Sequence, residues 1–193
     1  MENPAVQDAR SKKIIVLSHC CLNQNARIRG LAFAPGVVRP LIDYLLTQDV
    51  GIYQMTCPEV TFMGTLRWGQ VKKQFDTPMF RAHCQKLADE ILDQVEDYRQ
   101  GGYAVLGFIM MDSSPVCGLD TIPVSADENE DLGGMVWYTP QQKIIPGQGV
   151  FAEILKKSTA RRGYTDIPFI SYPEVDDQAL LDQAFSKIRA LFE

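Results

Sequence analysis

Long apolar runs are missing from this sequence. A membrane-spanning helix needs roughly 20 apolar residues, and Gly107-Phe108-Ile109-Met110-Met111 is already cut off by Asp112. No membrane segment is therefore expected. Positive charge is also in short supply, with 19 Lys and Arg against 24 Asp and Glu and a formal net charge of -5. Such a chain has no general attraction for phosphate backbones, so no nucleic-acid polymer is expected as a partner. There is no Cys-x-x-Cys pair of the kind that zinc frameworks use. Neither a full dinucleotide fingerprint nor a Walker A motif is present, which argues against nicotinamide or ATP chemistry. The start, Met1 to Lys13, is polar and of mixed charge, without the apolar stretch of a signal peptide. That predicts a cytoplasmic location, where thiols stay reduced. An odd cysteine count argues against a disulfide framework as well. Cys20, Cys21, Cys57, Cys84 and Cys117 are left with packing, metal binding or chemistry.

What the sequence does have is apolar content, 46% over 193 residues, enough for one well-filled core and one domain spanning residues 1–193. Lys13 to Leu17 is a dense β-branched run of the kind buried on both faces of a sheet. Similar short runs are Ile52 to Thr56, Ala104 to Met111 and Phe169 to Tyr172. Between them, Val37 to Leu46, Phe80 to Tyr98, Val150 to Leu155 and Leu180 to Leu191 carry apolar residues at helical spacing. Strands alternating with helices predict a three-layer α/β fold. Its four-stranded, mostly parallel sheet is Rossmann-like or flavodoxin-like. Two long non-periodic segments, 60–77 and 119–146, are expected to be active-site lids or small inserted hairpins. The second holds the acidic run Asp127 to Asp131, read as a solvated tip, and then Met135 to Tyr138.

Ligands of open parallel sheets bind beyond the carboxyl ends of the strands. Cys20 follows the first strand, Cys57 the second and Cys117 the third, so the topology delivers three thiols to one sheet edge. Any one of them could be a small buried hydrophobe. Cys84 is expected to be that, since it falls on the apolar face of its helix, and core is also the preferred reading for Cys21. Three thiolates suit a soft metal. A zinc site and a three-cysteine iron–sulfur cubane with one open iron are both compatible with the ligand count.

Glu59 and Ser114 stand close to Cys57 and Cys117 and could move a proton or hold a substrate there. A helix-start or surface carboxylate is the plain alternative for Glu59, and a turn residue before Pro115 for Ser114. His19 is expected to face away from Cys20, and His83 to lie toward solvent. Gly147-Gln148-Gly149 before a helix is expected to offer free backbone N–H groups to an anion.

Four blocks of the sequence resemble, in order, those of the thiouracil desulfurase family. They are Ser18-His19-Cys20-Cys21-Leu22-Asn23 with Gly30, Cys57-Pro58-Glu59-Val60, Ser114-Pro115-Val116-Cys117-Gly118, and Gly147-Gln148-Gly149-Val150. His19, Gly64 and Arg67-Trp68 bring the sequence closest to a desulfurase-related group of desulfidases. The resemblance covers roughly residues 12–172. It implies a [4Fe-4S] cluster bound by Cys20, Cys57 and Cys117. It further implies a small thiolated substrate whose sulfur goes to the open iron, and catalytic roles for Glu59 and Ser114. Where the family has Leu-Leu-Gly and Tyr-Asp-Gly, this chain has Cys21-Leu22-Asn23 and Ile28-Arg29-Gly30, which implies a different substrate pocket. The competing expectations are a non-catalytic protein that binds a metal or sulfur species through the same cysteines, and a cofactor-free α/β domain whose cysteines merely pack.

Overall fold

The computed structural model describes residues 8–125, 142–174 and 177–193. The acidic run and Met135 to Tyr138 lie outside the described residues.

Four strands form the main sheet: β1 (Lys13–Leu17), β2 (Gly51–Gln54), β3 (Ala104–Met111) and β6 (Phe169–Tyr172). All its pairings are parallel, in the order β2-β1-β3-β6. Counting only these strands, the order is 2-1-3-4, the flavodoxin-like alternative. A second, two-stranded sheet is the antiparallel pair β4 (Thr121–Ser125) and β5 (Gln142–Pro146). It occupies the described ends of the 119–146 segment, so a small hairpin is what that segment contributes.

Helices cover both faces because the strands alternate apolar side chains to both. Ile14, Val16, Phe108 and Met110 face one side, against α5 (Pro78–Gln100) and α6 (Val150–Arg161). The α5 stripe Phe80, Cys84, Leu87, Ile91 and Val95 is buried there, with Phe151 and Leu155 of α6. Ile15, Leu17, Ile109 and Met111 face the other side, against α2 (Arg39–Leu46) and α7 (Gln178–Arg189). Each such side chain is worth about 1.5–3 kcal/mol when removed from water. Capping sets the helix starts. Thr77 Oγ1 accepts the Phe80 N–H at 3.2 Å ahead of Pro78, and Asp177 caps α7 through the N–H groups of Ala179 and Leu180. Cys84 is fully buried in this packing, as its place on the stripe predicts.

The segments after the strands fold into short helices. These are α1 (His19–Leu22), then a 3-10 turn at Gln24–Ala26, α3 (Pro58–Met63) and α4 (Lys72–Phe75). The 60–77 segment is thus partly helical, in turns too short to display a period. Gly64 ends α3 at φ +83°, a value that a side chain would strain. Among the described residues, no helix is long and apolar enough to cross a membrane.

Candidate active site

The sheet continues as hydrogen bonds just past its strand ends, which fixes the loops that follow. Ser18 N–H donates to Ile109 O at 3.0 Å, Met55 N–H to Leu17 O at 2.8 Å, and Asp112 N–H to Tyr172 O at 2.8 Å. Buried Ser18 Oγ accepts the Met111 N–H at 3.1 Å. Directly above these bonds lies a cavity of about 290 Å³, lined by Cys20, Cys57 and Cys117 together with Glu59 and Ser114. All five residues singled out from the sequence therefore meet in one place, across the first three strands.

Each arrives differently. Cys20 sits in α1, so it and Cys21 do not alternate as in an extended strand end. Cys21 is fully buried among Leu17, Leu41 and Tyr172. Its thiol hydrogen-bonds to Cys20 and draws the Cys20 pKa below the ordinary thiol value. Cys57 is the N-cap of α3, with Pro58 as the first helical residue, where a missing N–H costs nothing. Burial pushes the Cys57 thiol up to about 11. Cys117 is also raised well above the ordinary thiol value, first by burial and then by the nearby Cys57 and Cys20 sulfurs.

The Cys117 loop is held from two directions. Buried Asp112 accepts three backbone N–H groups on Oδ1, from Leu119, Asp120 and Thr121 at 3.0–3.1 Å, and the Thr121 hydroxyl on Oδ2 at 2.8 Å. From the other side, the N–H groups of Gly149, Val150, Phe151 and Ala152 donate to carbonyls of Gly118, Pro115 and Val116. This corrects the expectation for Gly147-Gln148-Gly149. The amides at the start of α6 are not free for an anion, because the loop carbonyls use them. Gly149 is required at that contact, since a Cβ there would fall 2.3 Å from the Val116 carbonyl carbon.

Glu59 lies in the first turn of α3, as the plain reading allowed, yet it is buried. Arg67 Nε donates to Glu59 Oε2 at 2.8 Å, and the same guanidinium donates to Gly64 O and Ala26 O. One oxygen of Glu59 is thereby fixed, and Oε1 is left for the cavity. Ser114 Oγ accepts the N–H groups of Val116 and Cys117 at 3.2 and 3.0 Å. Its lone pairs are occupied, so its own hydrogen is the part available to a ligand. Neither histidine lines the cavity. His19 Nδ1 contacts Met55 O, and His83 bonds to Thr61 Oγ1 beside Phe62. Arg27 and Glu174, an ion pair on the cavity wall, belong to no motif that the sequence displays. The signal present is a lone charge, Arg27, between apolar Ala26 and Ile28.

Among the described residues, no group of three or more His, Cys, Asp or Glu side chains is gathered tightly enough to hold one metal ion. A single zinc draws its thiolates to about 2.3 Å from one point. A four-iron cube offers its corners apart and accepts a wider set. The donor chemistry fits such a group. Three thiols share a cavity whose arginines are already paired, and burial resists ionisation of two of them, a penalty that a cationic cluster relieves.

Fold and cavity together define a class: an α/β protein with three cysteines gathered at the carboxyl edge of a parallel sheet. The chain belongs to the family of the uncharacterized protein MJ0003 of Methanocaldococcus jannaschii. The two are 33% identical over 110 residues, 57% of this chain and 70% of that protein. The sequence matches no protein-family profile. Among solved structures, the [4Fe-4S]-dependent thiouracil desulfidase TudS shares the fold. It matches 92% of this chain and 99% of its own, with a TM-score of 0.51 and 20% identity. At that identity the likeness is one of fold, and it meets the fold that the sequence blocks implied.

Proposed function

We propose that this protein is an iron–sulfur-dependent desulfidase that exchanges the sulfur of a small thiolated compound for oxygen from water. The observation that carries the reading is the meeting of Cys20, Cys57, Cys117, Glu59 and Ser114 in one cavity. The TudS fold supports it. Cys20, Cys57 and Cys117 would hold a [4Fe-4S] cluster, leaving Cys84 to the core and Cys21 to packing against Cys20. When bound, a cluster with three protein ligands supplies an open iron that acts as a Lewis acid toward sulfur.

The chain's own residues do the rest. A thiocarbonyl and water give a carbonyl and hydrogen sulfide, with no net oxidation. Water must lose a proton as it adds to carbon, and sulfur must gain protons as it leaves. Glu59 Oε1 takes the first proton. Arg67 holds the carboxylate in place, so little reorganisation is needed when charge moves. The Ser114 hydroxyl donates to the substrate, since its lone pairs already accept two amides. Ile28, Leu31, Met111 and Pro115 line the cavity and limit water. At about 290 Å³, the space is at the low end of the ~300–1,000 Å³ of drug-sized pockets, so the substrate is small.

The test is anaerobic reconstitution followed by sulfide release from thioamides, thionucleobases and small thiols. Glu59→Gln keeps an amide oxygen for Arg67 and is expected to retain iron while losing about 10²–10⁴-fold in turnover. A Glu59→Gln protein with full iron and undiminished sulfide release refutes the assigned role. A fully loaded wild-type protein that releases no sulfide from the panel makes it a binder of metal or sulfur species instead.

A further inference from the structure

We propose that His19 is a positioning residue, which together with Gln54 sets the separation of Cys20 and Cys57. The proposal rests on the iron–sulfur reading for what the cysteines hold, and adds what holds the cysteines.

Backbone pairing alone does not set that separation. β1 and β2 are in register from Ile14 beside Gly51 to Leu17 beside Gln54. The ladder ends just beyond, where the Met55 N–H donates to Leu17 O at 2.8 Å. Cys20 and Cys57 each lie three residues past the last pair. Among the described residues, no backbone hydrogen bond joins 18–22 to 55–60. The chain turns into α1 on one side and into α3 on the other.

Two side chains take over where the ladder stops. His19 Nδ1 lies 3.1 Å from Met55 O. A carbonyl only accepts, so the ring carries a proton on Nδ1 and His19 is the donor. In return, Gln54 Nε2 donates to His19 O at 2.9 Å. The two bonds run in opposite directions between the same two backbone stretches and brace them together. Cys20 is the next residue after one end of the brace, and Cys57 follows Met55 by two. Met55 is buried, so its carbonyl depends on a protein donor, and the histidine supplies it. Thiolates on separate corners of one rigid group must match a fixed spacing. Groups that orient metal ligands from behind are typically worth about 10–100-fold in metal affinity.

The experiment compares two amides. Asn carries an N–H at the reach of Nδ1, whereas Gln places its amide one bond further, where Nε2 sits. The full chain is loaded with iron and sulfide anaerobically, and iron loss to a ferrous chelator is timed. His19→Gln is expected to lose iron about tenfold faster than wild type, the low end of that range. His19→Asn is expected to stay close to wild type, and Gln54→Met, which has no amide donor, to follow His19→Gln. Val95→Ala empties core space on α5 at the amino edge of the sheet. It is expected to lower the melting temperature without speeding iron loss. The same proteins, metal-free, are treated with dibromobimane, which joins two neighbouring thiols, and the joined peptides are identified by mass spectrometry. The Cys20–Cys57 bridge is expected in wild type and His19→Asn, and at clearly lower yield in His19→Gln and Gln54→Met. Four results overturn the proposal: no such bridge in wild type, His19→Gln matching wild type in both measurements, His19→Asn behaving as His19→Gln, or Val95→Ala losing iron as fast as His19→Gln. A wild-type protein that takes up no iron, beside bridge yields that follow the brace, removes the iron–sulfur reading alone. Iron uptake and sulfide release beside bridge yields indifferent to His19 remove the role of His19 alone.

Discussion

Asp112 shows how much of the site depends on one buried side chain that performs no chemistry. It gathers the N–H groups of Leu119, Asp120 and Thr121 onto one oxygen. Next to it, Ser113 sits at φ +54°, a conformation that costs a non-glycine residue about 1–3 kcal/mol. The carboxylate holds that strained turn, and with it Ser114 and Cys117. Asp112→Ala leaves three amides without their acceptor and is expected to lower unfolding free energy by about 3–5 kcal/mol, measured in urea. Iron per chain should fall with it. Asp112→Asn, which keeps an oxygen for the amides, should retain most of both. Cys20, Cys57 and Cys117 are legible in the sequence because strand-end placement is a rule of topology. Arg67 stands out there only as part of an Arg-Trp pair with no evident task. Arg27, Glu174 and Asp112 are not legible. Their meaning lies in which distant group they face, and no local pattern records that.

At the scale of elements, β1, β3 and β6 can be read to the residue, because each is a short, mainly apolar run that places side chains in the core. β2 is the half-buried strand, and its span in the structure starts one residue earlier and ends two earlier than its apolar run suggests. The helices α1, α3 and α4 are single turns or little more, shorter than the period that would reveal them. The start of α6 has the expected residues but a different partner. Free amides are expected of any helix start, and only the fold shows that the Cys117 loop is packed onto these. The two glycines there separate the explanations. A Cβ at Gly147 would meet only the flexible Ile122 side chain at 2.9 Å, whereas one at Gly149 would enter the Val116 backbone at 2.3 Å. Gly147→Ala is expected to be nearly neutral in thermal melting. Gly149→Ala should cost about 3 kcal/mol or more and displace the Cys117 loop, read as reduced iron uptake.

Across the whole molecule, α4, α5 and α6 are tied by charges from three stretches of sequence. Lys72 and Arg81 both pair with Glu153, and Arg81 also pairs with Asp76. Arg81 holds the Asp76 carboxyl below its ordinary 3.8. Burial opposes ionisation of Glu153, but Lys72 and Arg81 together outweigh it and bring the pKa below 4.5. Depressed carboxyl values stabilise the fold above the unfolded pKa and are lost as pH falls through the folded one. Unfolding free energy should thus be level in this contribution from about pH 7 to about 5 and decline below about 4.5. With the groups partly exposed, the loss is on the order of 1 kcal/mol. Glu153→Gln should flatten part of that decline in acid titrations followed by urea unfolding. The gathering of three cysteines from three adjacent strands also has a meaning for biogenesis. A nascent chain has no such cavity until Cys117 has emerged and β3 has docked beside β1, and the loop is not clamped until α6 follows. On the proposed reading, iron delivery must wait for a finished fold. Once in place, the cluster rivets β2, β1 and β3 together, so cluster loss and loss of protease resistance should occur together.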